Sequence, residues 1–351
     1  MKTTGNNTQS GNDSTRPSDN SKLSWIGLML TTTLCGLALS GLSSAAQAQT
    51  NGREAIMDKS HWVQIPGELI RPDCVHAVPN GATVEVGSDG QPTGDVTLKG
   101  VLIAHYDACP EQPIITRHSG SQSAGQGGVG NESLAHTPGT GNGWVEASVW
   151  NLPLSAKDNI DYMAGTWIVP SYPSESGATI FLFNGIEPKA ENWIMQPVLQ
   201  YGVSAAGGGN YWTIASWLVG PSSAYVSPLE ITYPGDSIFG YTEMTATSGS
   251  TKYWQIEAKD QTTGYYSWLD VHTSGQHWTW GLAAVLEAYS VTSCSQFPAN
   301  GRATFYNSTV DHGFPYYDVE SGNGWVGYIY NYGGPSCHFT VIASEESTLD
   351  F

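Results

Sequence analysis

The chain has 351 residues, with 13 Lys plus Arg against 31 Asp plus Glu and a formal net charge of −18. Nucleic acid and anionic membrane surfaces are recognised by clustered cations that neutralise phosphate, so this balance excludes both as partners. Forty-one glycines, 13 tryptophans and 18 tyrosines favour strands and turns over helices.

Residues 1–48 have the organisation of a signal peptide. A polar leader carrying Lys2, Arg16 and Lys22 precedes an apolar run from Trp25 to Leu42, and Ala46-Gln47-Ala48 then forms a small-residue cleavage site before Gln49. The rival is a single membrane anchor, but the three threonines in the run and the A-x-A ending favour cleavage. Cys35 lies inside the run after Leu34, where a lipobox needs a small residue. The expectation is a secreted protein, extracellular or periplasmic, with no membrane association once the leader is removed. The mature part keeps Cys74, Cys109, Cys294 and Cys337, an even count for an exported chain. They fall into an early and a late pair, so Cys74–Cys109 and Cys294–Cys337 is the natural connectivity among three.

Residues 49–118 form a small N-terminal β unit, with short apolar runs at Ala82–Val86, Asp95–Leu98 and Val101–Tyr106 separated by turn residues. Residues 119–141 shift to Gly, Ser, Gln and Asn and form a linker. Because such a linker is easily cut, the unit before it is a candidate propeptide. The main domain covers 142–351. Gly141-Asn142-Gly143-Trp144-Val145 recurs as Gly322-Asn323-Gly324-Trp325-Val326, each time opening an alternating run, as two symmetric strands or as one turn-then-strand device used twice. Between the copies lie candidate strands at 162–169, 178–184, 193–203, 210–219, 228–233, 237–247, 251–259, 264–271 and 277–290. Regularly spaced strands bounded by Gly, Pro and Ser predict an all-β, antiparallel two-sheet sandwich.

Two of these strands carry polar residues on otherwise apolar faces. Gln196 and Gln200, four residues apart, point to one side of an extended strand. Glu287 shares a face with Ala283, Val285 and Tyr289 by alternation, and desolvation there raises a carboxyl pKa and suits it to acid/base work; an ordinary solvent-facing strand carboxylate is the bland alternative. Trp278 and Trp280 alternate onto one face and, with Trp212 and Trp217, make up a stock of rings suited to stacking on sugars, or equally to filling a core. No C-x-x-C, H-E-x-x-H or G-x-S-x-G is present, so neither a metal nor a cofactor is expected. His272 and His277 flank a turn, and His105 with Asp107 ends a strand near Cys109.

Several of these segments together resemble the glutamic peptidases, or eqolisins. Val198-Leu199-Gln200-Tyr201-Gly202-Val203, Ala164–Pro170, Phe183-Asn184-Gly185-Ile186-Glu187, Ile231–Asp236 and Val285-Leu286-Glu287-Ala288-Tyr289 follow the family's order over roughly 142–310. The resemblance implies a concanavalin-like sandwich of bent sheets with the site on a concave face. It implies a secreted hydrolase that cuts peptide bonds at acid pH, where a glutamate moves protons and a glutamine amide stabilises the oxyanion. Gln200 falls on the family's glutamine. Ala283 falls where its glutamate stands, and Glu287 on a second carboxylate four residues on, so a working pair requires Glu287 with Gln200 or with Gln196. A polypeptide is the substrate on this reading. A polysaccharide is the ligand on the alternative, a lectin-like sandwich using the tryptophans, and a third reading is a catalytically inactive eqolisin relative.

Overall fold

A computed structural model describes residues 61–110, 113–117, 122–126, 141–151, 159–188, 190–315, 318–320 and 324–351. The expected signal peptide and most of the expected linker lie outside the described residues. Among those described, the N-terminal part contributes β1 (Val63–Ile65), β2 (Glu68–Ile70), β3 (Val75–Ala77), β4 (Ala82–Val86), β5 (Pro92–Leu98), β6 (Val101–His105), β7 (Ile114–Ile115) and β8 (Gln122–Gln126). The expected strands of the main domain follow as β9 (Gly141–Asn151), β10 (Ile160–Ile168), β11 (Thr179–Pro188), β12 (Ile194–Ser204), β13 (Gly207–Val219), β14 (Ala224–Val226), β15 (Glu230–Thr232), β16 (Ser237–Ser248), β17 (Thr251–Asp260), β18 (Tyr266–Ser274) and β19 (Trp278–Val291). The chain closes with β20 (Arg302–His312), β21 (Asp318–Glu320), β22 (Trp325–Ile329), β23 (Thr340–Ile342) and β24 (Ser347–Asp350). No helix among the described residues is long and apolar enough to cross a membrane.

Two large sheets face each other. One runs β23-β24-β20-β10-β16-β17-β18-β4-β5-β6 with β21 beside β20; the other runs β3-β14-β13-β12-β11-β19-β9-β22-β8 with β15 beside β13. The N-terminal strands are knitted into both, since β3 pairs in parallel with β14 and β4 in parallel with β18. The first of the recurring Gly-Asn-Gly-Trp-Val segments opens β9, and Trp325-Val326 of the second opens β22 beside it, with Trp325 opposite Trp150.

Strand alternation sorts the apolar residues of the second sheet into two layers. Ile180, Leu182, Leu199, Trp212, Ile214 and Leu286 turn inward and meet Trp167, Ile238 and Phe305 of the first sheet. Phe181, Phe183, Val198, Ala215, Trp217 and Val285 turn outward and are covered by Ile65, Ile70 and Cys74. A third, three-stranded sheet, β1-β2-β7, is the cover. The outer face of the second sheet is therefore a filled groove.

Both disulfides have the expected connectivity, Cys74–Cys109 and Cys294–Cys337. The second closes a loop of 43 residues, for which chain entropy corresponds to about 4 kcal/mol. Replacing Cys294 and Cys337 together by serine is expected to lower the urea midpoint by an amount equivalent to about 2–4 kcal/mol.

Candidate active site

The covered groove holds an unusual number of buried polar groups. Glu68, Arg117, Glu187, Gln196, Gln200 and Glu287 are each no more than 3% exposed. Such groups are costly in an apolar layer unless they bind one another, so their partners define what the groove can do.

The cover enters the groove by its tip. β1 and β2 pair antiparallel with Ile65 opposite Glu68, leaving Pro66-Gly67 as a two-residue turn. Proline pre-sets one turn position and glycine accepts the positive φ of the next, here 97° at Gly67. The peptide bond between the two residues has no partner within its own hairpin, yet both residues are buried. Its two polar groups go to opposite walls of the groove. The carbonyl of Pro66 accepts a hydrogen bond from Gln196 Nε2 at 3.2 Å, and the N–H of Gly67 donates to Glu287 Oε2 at 2.7 Å. One amide unit is thus gripped by a glutamine amide at its oxygen and by a carboxylate at its nitrogen.

Gln196 and Glu287 reach this point from different strands and rows. Both Glu287 and Gln200 stand opposite Phe181, one on each side of β11. Gln200 and Glu287 are therefore two strand spacings apart, about 10 Å, with the Phe181 ring position between them. Gln200 also has other partners: its Nε2 donates to the carbonyls of Gly202 (3.0 Å) and Gly207 (2.8 Å), and its Oε1 accepts from Ser204 Oγ (2.9 Å). Those bonds close the β12–β13 hairpin. Gln196 lies four residues further along β12, and the Pro66–Gly67 peptide spans the remaining gap to Glu287.

The expectation for Ala283 is corrected. β19 carries a bulge between Leu282 and Ala284, seen as a register shift against β9, and an extra residue in one strand reverses the alternation beyond it. Ala283 consequently packs inward with Ile160, Met163 and Met244, while Leu282, Val285 and Tyr289 share the groove layer. A glutamate at 283 would enter the inter-sheet core. Glu287 shares its face with Val285 and Tyr289 but not with Ala283.

Glu287 is held on both oxygens. Oε1 accepts from Tyr289 OH at 2.5 Å and from Thr116 Oγ1 at 3.2 Å, while Oε2 takes the Gly67 amide. Burial pushes its pKa up to about 7, against the pull of those three donors and of Arg117. Glu68 is raised further, to about 8, by burial first, opposed by Arg117 and reinforced by Glu287. Arg117 Nη1 pairs with Glu187 Oε1 at 2.9 Å in a fully buried ion pair. Sequence reasoning did not find Thr116, Arg117, Glu68 or Tyr289 as site residues. The Pro66-Gly67 turn signal flanked by Ile65 was available, but nothing local says that this turn docks on residues some 130 and 220 positions away.

These carboxyls give the docked hairpin a pH dependence whose sign can be worked out. A folded-state pKa above the ordinary value of 4.5 for Glu68 and Glu287 means that docking binds protons. The contribution is fully present below about pH 4.5 and is lost as pH rises through about 7 to 8. Limited proteolysis of the hairpin is expected to be slowest below about pH 4.5, to accelerate as pH rises through about 7 to 8 and to level off above that, once corrected for the protease's own profile on an unfolded substrate.

Three solved structures show what this architecture is similar to. A scytalido-glutamic peptidase bound to a peptide-based transition-state analogue matches with 16% identity and a TM-score of 0.33. The same peptidase with a transition-state analogue inhibitor gives 16% and 0.34, and SCP-B, a member of the eqolisin family in complex with the tripeptide Ala-Ile-His, gives 17% and 0.32. Each alignment covers 54% of this chain and 98% of the other. The likeness is a distant one, of fold. No protein-family model and no curated protein matches the chain.

The tryptophans do not form a sugar platform. Trp212 and Trp278 are fully buried between the large sheets, Trp278 against Trp254 with ring centroids 5.5 Å apart. Trp217 is fully buried in the groove layer, and Trp280 packs against that layer from its edge. Trp278 and Trp280 thus serve opposite faces, because the pairing of β19 with β11 shifts register between Glu187 and Pro188. Among the described residues, Asp73, Cys74 and Cys109 form a cluster of potential metal-ligand atoms, and both its sulfurs are joined in a disulfide. His272 pairs with Glu85 at 3.5 Å.

Proposed function

We propose that the chain is an exported peptide-bond hydrolase whose working pair is Gln196 and Glu287, and that its own β1–β2 hairpin lies in the site as a substrate would. The observation that carries this reading is the grip on the Pro66–Gly67 amide, with Gln196 at the oxygen and Glu287 at the nitrogen. Gln200, which resembles the family's glutamine, takes a structural part on this reading.

The arrangement supplies what hydrolysis needs. In its ionised form Glu287 takes a proton from water as the water oxygen bonds to the carbonyl carbon. The carbonyl oxygen becomes an oxyanion, and the Gln196 N–H, already directed at it, gains strength as that charge develops. Glu287 then hands the proton to the amide nitrogen, the C–N bond breaks, and an acid and an amine leave. A neutral amide suits the first task because it does not titrate, and a carboxyl near pKa 7 suits the second.

On this reading the β1–β2 hairpin holds the site closed in the manner of a propeptide, and β3 and β4 bind the chain that follows it into both large sheets. The test is to incubate the full chain, carrying Gly67→Ala to weaken docking, with an unfolded protein across pH 2–8 and to map the products by mass spectrometry. Peptide products from this variant and fewer from the unaltered chain are expected. Absence of products over the whole range, from a variant whose circular dichroism matches the parent's, removes the proposal.

A further inference from the structure

We infer that the site selects Pro–Gly bonds carried at the tip of a tight turn and followed by an uncharged or acidic polar residue, and that Thr116 and Arg117 determine this choice. The inference rests on the hydrolase reading and specifies its substrate. It comes from treating Ile65-Pro66-Gly67-Glu68 as the shape for which the groove is built.

Each position of that segment meets a distinct physical demand. Pro66 is buried, and proline is the residue that brings no N–H into a layer where an unpaired donor is costly. Gly67 is held at three places: its N–H by Glu287, its carbonyl by the Thr116 N–H at 3.1 Å, and its Cα against Arg117. A Cβ there would stand 3.1 Å from Arg117 Cδ at a backbone φ of 97°, which L side chains rarely adopt. Glu68 is fully buried, and Arg117 and Glu287 are the charged groups that act on it. Among the described residues, neither of its carboxyl oxygens has a hydrogen-bond partner, and neither do Arg117 Nε and Nη2. Glu68 and Arg117 lie in the same buried layer, so an uncharged or acidic residue is tolerated after the glycine, whereas a lysine adds a second buried cation to that of Arg117.

The wall that reads the turn is attached independently of the turn itself. The Thr116 backbone packs on β9, where a Cβ added to Gly143 would stand 2.9 Å from the Thr116 oxygen, and Arg117 is tied to Glu187 on β11. Departure of the β1–β2 tip therefore leaves Thr116 and Arg117 in place to receive another chain. An incoming turn pairs with β7 as β2 does now, with Glu68 opposite Ile115.

The experiment uses the full chain carrying Gly67→Ala, with Pro66→Ala as a second opening variant should the first not fold, and four internally quenched peptides. Their cores are Ile-Pro-Gly-Glu, Ile-Ala-Gly-Glu, Ile-Pro-Ala-Glu and Ile-Pro-Gly-Lys. The expected result is scission between Pro and Gly in the first, with kcat/KM about tenfold or more above each of the others. Equal rates on all four, or scission elsewhere, overturn the selectivity while leaving a hydrolase. No scission of any peptide, together with no digestion of unfolded protein by either variant, overturns the hydrolase reading as well.

Discussion

Glu287→Gln in a chain opened by Gly67→Ala is expected to lower kcat by about 10²- to 10⁴-fold, with KM nearly unchanged. The substitution keeps the shape of the side chain and its place between Tyr289 and Thr116. It removes the group that can take a proton from water and return it to nitrogen. Gln196→Ala is expected to lower kcat by about 10²- to 10³-fold, the usual cost of losing one oxyanion donor in a closed site. Gln200→Ala separates the two readings of the pair. It removes three hydrogen bonds of the β12–β13 hairpin, so it should lower stability, while folded protein keeps its kcat. Single-turnover rates on a cleavable peptide, read beside thermal melts, check all three. A Gln200→Ala variant that is stable but inactive would reassign the oxyanion donor to Gln200 and undo the pair proposed above.

The second large effect belongs to Arg117. Arg117→Ala is expected to destabilise the closed form by about 3–5 kcal/mol, because it removes one partner of a fully buried ion pair. The pair is a costly way to fill the groove: both residues leave water, and Arg117 Nε and Nη2 gain no hydrogen bond in return. Replacing both partners together, as Arg117→Met with Glu187→Met, should therefore recover most of the loss and can exceed the parent's stability. Urea unfolding of the parent, both single variants and the double variant measures the coupling directly. A loss confined to the first unfolding phase, with hydrogen exchange rising only over 61–70 and 113–117, would show that the pair fastens the cover and not the sandwich.

Much of the fold was legible before any coordinates. Phe181-Leu182, Val198-Leu199, Ile214-Ala215 and Val285-Leu286 belong to short, near-continuous apolar runs bounded by turn residues, the pattern of strands covered on both faces. The turn residues between the runs set their lengths, and the even cysteine count with its early and late pairs led to both disulfides. Alternation failed where a bulge intervened. It put Ala283 beside Glu287 and Trp278 beside Trp280, and in each case one inserted residue moved the side chain to the other face. A bulge leaves no mark in composition, since it is decided by how two strands fit each other.

The site divides along the same line. Local chemistry was enough to single out Gln196, Gln200 and Glu287, because a polar side chain on an apolar strand face must find a partner wherever the chain folds. Which of the two glutamines meets the glutamate was not a local matter. Register across β11 set Gln200 level with Glu287 and yet out of its reach, the β12–β13 hairpin engaged the Gln200 amide, and the Pro66-Gly67 turn joined Gln196 to Glu287. By itself the amino-acid order determined a twice-bridged β-sandwich with polar residues in an apolar sheet face, since periodicity, turn chemistry and cysteine count act over a few residues or none. The tertiary structure alone decided that this face is covered, by which hairpin, and which amide and carboxyl grip a single peptide bond. Those outcomes depend on contacts between strands more than a hundred residues apart, whose register no short-range preference controls.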